Sequence, residues 1–320
     1  MKAAILAGGF GTRLRPLTLH TPKPLIPLLG KPLVMHIIDA LPSQVNQVVL
    51  AVNYMREHIE EYFQTHDVGR EVILVEEKEP LGTGGAIKNL STYLDERFIA
   101  FNGDIVSSVD LDSLVSYHER CGGIGTLSLW RVDDPTAFGV VALEGDGRIT
   151  QFQEKPSPEE ACSDLINAGV YIFEPEILDR IGEGKVSIER EVFPKILDEG
   201  LYGFKFHGYW VDCGTGENFL LAQRILLELN GDSTWDCEIN GGVEIVQPNH
   251  MTGTVMSNCR IGPFVYSEEG VSVGRGSEVR SSILLQGTKV GQDALVVNSI
   301  LGPGTQVEDG MRVVDTILMK

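Results

Sequence analysis

Cysteine, positive charge and long apolar runs are all scarce in this 320-residue chain. The five cysteines are odd in number and form no CxxC pair, which argues against a zinc site or a disulfide framework and favours a reducing compartment. Asp and Glu outnumber Lys and Arg by 45 to 26, and the net charge of −19 argues against binding of a nucleic-acid polymer. No stretch approaches the roughly eighteen apolar residues that a membrane helix needs.

The N-terminal sequence MKAAILAGG reaches glycine too early to contain the apolar core of a signal peptide. We therefore expect a cytoplasmic protein that binds neither a nucleic-acid polymer nor a membrane. The acidic balance does not exclude small phosphorylated ligands, because a few placed cations and a divalent metal bind these locally.

The first 120 residues alternate between apolar runs and amphipathic segments. This alternation predicts a Rossmann-like α/β fold, in which a mostly parallel sheet carries helices on both faces and binds ligands at the carboxyl ends of its strands. The predicted strands are Ala3–Ala7, Gln47–Val52, Val72–Val75 and Phe98–Phe101, and the predicted helices are Leu33–Leu41, Tyr54–Phe63, Ala86–Leu94 and Leu111–His118.

From about Gly125 the pattern becomes mixed. A turn at Gly145–Gly147 predicts a hairpin between its flanking strands, and this half of the domain extends the first sheet. The predicted elements are strands Thr126–Val132, Gly139–Leu143, Ile149–Gln153, Val170–Phe173 and Phe204–Val211, followed by a helix at Glu217–Leu229.

After Asn230-Gly231 valine, isoleucine and leucine recur at a step of six residues. Examples are Val273 to Val279, Val290 to Val296, and Val307 to Val313. A six-residue period is typical of a parallel β-helix, with an irregular β-sandwich as the alternative. We therefore predict a first domain at residues 1–230 and a β-helix of about four coils at 236–320. So short a coil leaves exposed ends, which favours packing on the first domain or on another subunit.

The stretch GGFGTR at Gly8–Arg13 directly follows the first predicted strand. Glycines there expose backbone N–H groups that bind phosphate oxygens. Neither the P-loop nor the GxGxxG dinucleotide fingerprint is present, since Leu14 occupies the last glycine position. A plain tight turn is the alternative. The cations Arg13 and Lys23, the latter between two prolines, favour a phosphorylated ligand.

The chain resembles the sugar-nucleotide pyrophosphorylases, which join nucleoside triphosphates to sugar 1-phosphates, and in particular those that transfer a guanylyl group to mannose 1-phosphate. The resemblance covers about residues 1–228, and several members also carry a C-terminal left-handed β-helix. The stretches that carry it are GGFGTRLRPLT, PKPL, EKEPLGTGGA, NGD, FGVV, EKP, NAGVYIF, SIEREVFP and WVDCGT.

This resemblance implies that a sugar-phosphate oxygen attacks the α-phosphorus of the triphosphate in line, with pyrophosphate leaving. It implies Mg²⁺ held by Asp104 and Asp212, because two carboxylates suit a hard cation. An ordinary turn aspartate is the alternative for Asp104. Arg13 and Lys23 are expected to hold the β- and γ-phosphates, and Lys155 the sugar phosphate.

The other implied contacts form two sets. The nucleotide-binding set is Leu6, Ala7, Gly8, Gly9, Gly11, Thr12, Glu77 and Gly82; the sugar-phosphate set is Gly139, Glu154, Lys155, Asn167 and Gly169.

Glu77 favours GTP as the nucleotide, because a carboxylate accepts both guanine donors, N1–H and N2–H₂, whereas thymine and uracil suit an amide. Glu79 lies two residues away, and either Glu could be a solvated surface residue. The alternatives are a glucose-1-phosphate thymidylyltransferase using dTTP or UTP, a non-catalytic regulatory paralogue, and a β-helix acyltransferase with His250 as its base. The expected assembly is a homo-oligomer formed through the β-helix.

Overall fold

A computed structural model describes residues 1–230 and 234–320 of the chain. The described residues form two compact units, each built from two segments. The first unit comprises Met1–Phe10 and Val34–Trp210, and the second comprises Gly11–Leu33 and Val211–Lys320. Gly231, which forms half of the expected domain junction, lies outside the described residues, so that junction stays a prediction.

A nine-stranded mixed sheet forms the centre of the first unit. Its middle strand, Lys2–Leu6, lies between the parallel strands Gln47–Val52 and Phe98–Asn102, and Glu71–Glu76 continues the parallel part. These strands read as continuous apolar runs because helices cover both faces of a parallel sheet. The other strands are Gly125–Arg131, Gly139–Leu143, Ile149–Glu154, Leu165–Phe173 and Leu201–Lys205.

The second half of this sheet is largely antiparallel. Leu165–Phe173 pairs antiparallel with Phe98–Asn102 and with Gly125–Arg131. Gly139–Leu143 pairs antiparallel with Ile149–Glu154, which confirms the predicted hairpin. The Rossmann-like mixed α/β architecture is therefore confirmed.

The helices of the first unit lie near their predicted positions. The α-helices are Leu33–Ala40, Arg56–Thr65, Gly82–Asn89 and Leu111–Cys121. Short 3₁₀ turns occur at Ser91–Tyr93, Pro175–Arg180, Phe193–Lys195 and Leu197–Glu199, a π-helical turn at Ile188–Val192, and a short strand at Ile105–Ser107. A further short strand, Trp210–Asp212, begins at the last residue of the first unit, and its other two residues belong to the second.

The predicted helix Ala86–Leu94 was wrong in its bounds, since the helix begins at Gly82 and ends at Asn89. The N–H groups of Gly84 and Gly85 both donate to the carbonyl of Val186, at 2.9 and 3.1 Å. This contact from a distant loop fixes the first turn of the helix and overrides the low helix propensity of glycine.

The predicted strand Phe204–Val211 was also wrong, because the chain forms two strands, Leu201–Lys205 and Trp210–Asp212. Between them the Ser108 hydroxyl donates to the His207 carbonyl at 3.0 Å and accepts from the Tyr209 N–H at 2.9 Å. These side-chain bonds satisfy backbone groups that a continuous strand would have paired with a neighbour.

In the second unit, the segment Gly11–Leu33 forms 3₁₀ turns and a two-residue hairpin beside a long helix, Gly216–Asn230. Leu14, Leu17 and Leu28 are fully or almost fully buried, so the segment contributes apolar side chains to the interior of this unit. Its elements are Thr12–Leu14, Leu17–Leu19, Lys23–Leu25, Pro27–Leu28 and Lys31–Pro32.

The rest of the second unit is a coil of parallel strands. Val279 pairs with Val296, and Val296 with Val313, so the coil repeats every 17 residues (296 − 279 and 313 − 296). That is three hexads less one residue, which explains the slips in the period. The parallel β-helix is confirmed, and its left-handed sense stays a prediction. The strands are Thr234–Asn240, Glu244–Ile245, Asn249–Ser257, Arg260–Ile261, Val265–Ser267, Ser272–Val273, Glu278–Arg280, Ile283–Leu284, Lys289–Val290, Leu295–Val297, Ile300–Leu301, Gln306–Val307, Arg312–Val314 and Ile317–Leu318.

Among residues 1–230 and 234–320, none of the helices has both the length and the hydrophobicity required to traverse a bilayer.

Replacement of Leu301 by alanine should destabilise the coil. Leu301 is fully buried and stacks between Leu284 and Leu318 in the register. Loss of its branched side chain leaves a cavity, which costs about 2–5 kcal/mol in the free energy of unfolding. Urea unfolding measures the change, with the exposed neighbour Gln306→Ala as a control expected to stay within about 0.5 kcal/mol. Equal effects of the two substitutions would contradict the burial of Leu301.

Candidate functional site

The loop after the first strand lies against a buried carboxylate. Leu6 is aligned with Ala51 and Asn102 at the carboxyl edge of the sheet, and Ala7, Gly8 and Gly9 follow it. A Cβ atom on Gly8 would lie only 2.8 Å from Oε1 of Glu77, whereas one on Gly9 would meet no atom within 4 Å. Glycine at position 8 therefore lets the carboxylate contact the backbone, and Gly9 faces open space.

Glu77 is held at this edge through its own backbone. Its N–H donates to the carbonyl of Val52 at 2.7 Å, and its carbonyl accepts from Nδ2 of Asn53 at 2.6 Å. The side chain is only 7% exposed, and burial raises the pKa of its carboxyl, opposed by a weaker hydrogen bond from the Leu81 N–H. Glu79 is exposed, so Glu77 is the one of the two with the environment of a ligand-binding group.

Asn102, Gly103 and Asp104 form the neighbouring strand end. The Gly103 N–H donates to the Leu6 carbonyl at 3.0 Å, which places Asp104 beside the end of the first strand. Oδ1 of Asn102 is buried and has no hydrogen-bond partner among the described residues. Sequence reasoning assigned no role to Asn102, although it opens the NGD motif. A buried, unpartnered carbonyl oxygen at a ligand-binding edge is available to a bound donor or cation.

Asn167 and Gly169 lie at an irregularity in their strand, where its pairing shifts register between Asn167 and Tyr171. The Asn167 amide donates to the Tyr171 hydroxyl at 2.9 Å and accepts from the Gly169 N–H at 3.2 Å. Gly169 has φ +77°, and a Cβ atom there would lie 2.8 Å from Nδ2 of Asn102. The structure therefore brings the predicted sugar contacts next to Asn102.

Gly139 and Glu154 lie opposite each other on the hairpin. A Cβ atom on Gly139 would lie 2.6 Å from Cζ of Phe152 and 3.1 Å from Oε2 of Glu154, so the glycine makes room for the phenyl ring first and for the carboxylate as well. The next residue, Lys155, is exposed, and its backbone is held at φ +52°, a left-handed conformation that costs free energy for a lysine. The unusual backbone conformation therefore occurs directly after the strand Ile149–Glu154, at the position predicted to bind a phosphate.

Glu189 is a further residue of this region that sequence reasoning missed. Its carboxylate accepts from the hydroxyls of Thr83 and Ser187 at 2.6 and 2.7 Å. Burial raises the pKa of Glu154, and the negative charge of Glu189 raises it further. Glu189 lies in the SIEREVFP stretch, which is one of the stretches shared with the family, so the sequence could have pointed to this residue.

Gly82 was predicted to let the nucleotide base approach the backbone, but the local structure also requires a glycine at this position. Its φ is +71°, and a Cβ atom would lie 2.6 Å from the carbonyl oxygen of Val186. Packing against this loop accounts for the glycine, and a role in nucleotide binding stays a prediction.

In the second unit, Gly11 adopts a left-handed conformation (φ 58°) directly before the 3₁₀ turn that begins at Thr12. The Thr18 hydroxyl donates to the Gly11 carbonyl at 2.9 Å and closes the loop. A Cβ atom on Gly11 would lie 3.4 Å from Cβ of Lys23, so the lysine side chain starts beside the glycine loop.

Arg13 and Asp212 meet at Gly214. A Cβ atom on Gly214 would collide with Nη2 of Arg13 and would lie 2.7 Å from Oδ1 of Asp212. The same carboxylate oxygen accepts from the Gly214 N–H at 2.8 Å, and Asn218 donates to the Asp212 carbonyl at 2.8 Å. A predicted phosphate-binding cation and a predicted metal ligand are therefore adjacent.

Each unit by itself carries oxygen donors of the kind that a hard divalent cation prefers: Asp104 and the unpartnered Oδ1 of Asn102 in the first unit, and Asp212 in the second. No group of three or more His, Cys, Asp or Glu side chains suited to a metal occurs in the described parts of the chain. Mg²⁺ needs no such group, because it usually takes most of its ligands from phosphates and water.

Comparison with known proteins shows the family to which the chain belongs. A family described as nucleotidyl transferase matches residues 2–228, and one described as the GMPPB C-terminal domain matches residues 244–320. The mannose-1-phosphate guanylyltransferase catalytic subunit beta of Danio rerio is 42% identical over 236 residues, which are 71% of this chain and 65% of the relative. The chain thus spans slightly less than two thirds of that relative.

Two further similarities extend the comparison. Mannose-1-phosphate guanylyltransferase 1 of Arabidopsis thaliana is 36% identical over 298 residues, covering 90% of this chain and 82% of the relative. The crystal structure of HddC from Yersinia pseudotuberculosis, complexed with GMP-PN, is 29% identical, with a TM-score of 0.60 over 70% of this chain and 99% of HddC. The chain therefore belongs to the nucleotidyl transferase family, within the group that includes the mannose-1-phosphate guanylyltransferases.

Proposed function

We propose that the protein joins mannose 1-phosphate to GTP, giving GDP-mannose and pyrophosphate. A phosphate oxygen of the sugar 1-phosphate forms a bond to the α-phosphorus, while the bond from that phosphorus to the oxygen bridging to the β-phosphorus breaks. Pyrophosphate leaves with the bonding electrons. The observation that carries the proposal is the buried Glu77 carboxylate against the Gly8 backbone, in a chain of this family.

The glycine loop and two cations bind the triphosphate in this proposal. The N–H groups of Gly8, Gly9 and Gly11 are the donors for its phosphate oxygens. Arg13 and Lys23 neutralise the β- and γ-phosphates, where negative charge accumulates as pyrophosphate departs. Leu6, Ala7 and Thr12 belong to the same loop and flank the nucleotide.

Nucleotidyltransferases of this family generally need a divalent metal ion. We take Mg²⁺ as that ion, with Asp104 and Asp212 as the protein ligands. Bound there, it would neutralise phosphate charge and act as a Lewis acid. The two carboxylates and the Asn102 carbonyl supply hard oxygen ligands.

The sugar phosphate is bound by the hairpin and the irregular strand. Lys155 holds the attacking phosphate, and its exposed side chain follows directly after the strand Ile149–Glu154. Glu154 and Asn167 accept from or donate to sugar hydroxyls, and Gly139 and Gly169 allow the ring close to the backbone. Mannose as the sugar is supported by the names of the relatives alone.

Guanine specificity is supported by the environment of Glu77. Within the described part of the chain its carboxylate receives only one hydrogen bond, a long one of 3.4 Å from the Leu81 N–H. A buried carboxylate with spare acceptor capacity gains from two adjacent N–H donors, which guanine presents and uracil and thymine do not. We further place the reaction in the cytoplasm and the assembly of subunits at the β-helix.

A pyrophosphate-release assay across four nucleoside triphosphates and several sugar 1-phosphates tests the proposal. We expect the highest kcat/KM with GTP and mannose 1-phosphate. Preference for dTTP or UTP with glucose 1-phosphate would identify a thymidylyltransferase-type enzyme instead. Binding of sugar nucleotide without any turnover would indicate a regulatory protein.

Replacement of Asp104 by alanine should lower Mg²⁺-dependent turnover by at least about a hundredfold, because loss of a metal ligand removes several kcal/mol of charge stabilisation. Thermal unfolding should stay close to wild type. Asp164→Ala is the matched control, since Asp164 is a half-buried aspartate of the same unit whose carboxylate pairs with Arg131 and not with the predicted site residues. Unchanged turnover of the Asp104 variant at all Mg²⁺ concentrations would exclude it as a metal ligand.

Replacement of Glu77 by glutamine should lower kcat/KM for GTP about tenfold or more relative to dTTP or UTP, because the amide offers guanine a donor where an acceptor is needed. Burial raises the pKa of Glu77, so the carboxylate is protonated at a higher pH than an ordinary Glu. The GTP preference of the wild type should therefore fall as the pH is lowered through that pKa.

The Glu77→Gln variant should show no such pH dependence of nucleotide preference. The exposed Glu79→Gln variant is the control and should keep the wild-type preference and its pH profile. If Glu79→Gln alone alters the preference, the roles of the two residues are reversed.

A further inference from the structure

The proposed reaction gives no role to Glu189, although its half-buried carboxylate is held in one orientation. Oε2 of Glu189 accepts from the hydroxyl of Thr83 at 2.6 Å and from the hydroxyl of Ser187 at 2.7 Å. Both bonds reach the same oxygen, and Oε1 accepts no hydrogen bond from any residue that the structure describes. A carboxylate with one oxygen bound and one free has spare capacity for a donor from outside the protein.

The two hydroxyls that hold Glu189 are themselves fixed by the backbone. The hydroxyl of Thr83 accepts from the N–H of Ile188 at 3.0 Å, and that of Ser187 accepts from the N–H of Arg190 at 3.3 Å. Each hydroxyl therefore has a backbone donor on one side and donates its single proton to the carboxylate on the other. Because the carboxylate is ordered before any ligand arrives, a ligand that binds Oε1 loses little affinity to side-chain ordering.

Phe193 packs the π-helical turn that carries Glu189 against the strands of the proposed sugar site. Phe193 directly follows this turn and is fully buried. Its ring centroid lies 5.2 Å from that of Phe152 and 5.7 Å from that of Tyr171. Phe152 belongs to the strand that ends at Glu154, and Tyr171 belongs to the strand that contains Asn167. The aromatic contacts therefore place the turn beside both strands.

The charge of Glu189 acts on groups of both strands. Burial raises the pKa of the Glu154 carboxyl, and the negative charge of Glu189 raises it further, while Lys155 and Arg190 oppose this effect. Burial likewise raises the pKa of the Tyr171 hydroxyl, and Glu189 again adds to the increase. A charge shifts a pKa in this way only from a short distance. The carboxylates of Glu154 and Glu189 therefore lie close to the same space.

Two neighbouring carboxylates suit either a divalent cation or a pair of hydroxyl donors. The positive charges of Lys155 and Arg190 already act on Glu154, so the local charge is balanced without a metal ion. In the described parts of the chain, no group of three or more metal-ligating acidic, His or Cys side chains occurs. Neutral hydroxyls satisfy free carboxylate oxygens and leave this balance unchanged. A sugar, which carries several adjacent hydroxyls, is the ligand that fits.

We propose that Glu189 is a second sugar-binding carboxylate, which accepts a hydroxyl of the sugar 1-phosphate through Oε1, beside the contact from Glu154. Thr83 is its positioning residue. Thr83 directly follows Gly82, on the segment that begins at Glu77, so the segment proposed to bind the base also fixes a carboxylate that selects the sugar. That the ligand is a sugar 1-phosphate rests on the proposed function.

Replacement of Glu189 by glutamine should raise KM for mannose 1-phosphate about tenfold or more, because a charge-assisted hydrogen bond to the sugar is lost. KM for GTP should stay within about twofold of wild type, because the base and phosphates are bound elsewhere. Glu183→Gln, at an exposed position shortly before the same turn, is the control and should change neither constant. An unchanged KM for the sugar, or an equal rise of both constants, would overturn the proposal.

Monodeoxy mannose 1-phosphates test the contact without relying on the absolute activity of a variant. Wild type should lose about tenfold or more in kcat/KM when the hydroxyl bound by Glu189 is absent. The Glu189→Gln variant should lose less than about threefold for that same compound, since the two changes remove one interaction. A wild type indifferent to every missing hydroxyl, or a variant that keeps every wild-type penalty, contradicts the contact.

Thr83 is tested by two substitutions. Thr83→Val removes the hydroxyl and should raise KM for mannose 1-phosphate about threefold or more and reduce the same deoxy penalty, because Oε2 loses one of its two donors. Thr83→Ser keeps the hydroxyl and should restore both values. Circular dichroism verifies that the variants are folded. If Thr83→Val keeps the full deoxy penalty, Thr83 does not position Glu189.

The outcome is separable from that of the proposed function. If wild type prefers another sugar 1-phosphate, deoxy forms of that sugar replace those of mannose, and only the proposed substrate is refuted. If the chain turns over no sugar 1-phosphate, isothermal titration compares GDP-mannose with GDP. Loss of affinity for GDP-mannose alone in Glu189→Gln then refutes the reaction and keeps the sugar contact. Equal affinities of wild type and variant for both compounds, or no binding at all, overturn the contact.

Discussion

Contact between ionisable side chains and backbone that lacks a Cβ atom is the interaction on which this site depends. Glu77 reaches the Gly8 main chain, and Arg13 and Asp212 both reach Gly214. Burial of Glu77 costs free energy that one long hydrogen bond from Leu81 does not recover. The fold has therefore already borne the cost of desolvating this carboxylate, and a ligand with two donors restores its hydrogen bonds without that cost.

The same geometry resolves the conflict between an acidic protein and the anionic substrates that we propose for it. Charges separated by more than about 8 Å in water are largely screened at physiological ionic strength, so the net charge of −19 has little effect inside the loop. Short-range partners decide the local potential. Lys23 begins beside Gly11, and Arg13 lies beside Gly214, so each cation is fixed where the backbone leaves room for it.

Sequence patterns predicted the helices and strands that are determined by the residues within them. The apolar run Gln47–Val52 forms the strand with the predicted bounds, and the six-residue valine period gave the parallel coil. Elements set by distant contacts were mispredicted. Helix Gly82–Asn89 is fixed by the Val186 carbonyl, and the break after Lys205 is fixed by Ser108, about a hundred residues earlier. The EKEPLGTGGA motif was enough to name Glu77 as the carboxylate predicted to bind the base. That this carboxylate is buried could be seen only in the structure.

Packing of the coil affects the position of Arg13, although Arg13 lies far from the coil in the sequence. Arg13 and the β-helix belong to the same unit. Nε2 of the buried Gln223, on helix Gly216–Asn230, lies 3.4 Å from the carbonyls of Phe264 and Ser282, so the helix is fixed to the coil. Gly214, which Arg13 contacts, lies two residues before this helix. The position of the guanidinium therefore depends on coil packing, which gives the β-helix a physical role in orienting the residue that we propose binds phosphate.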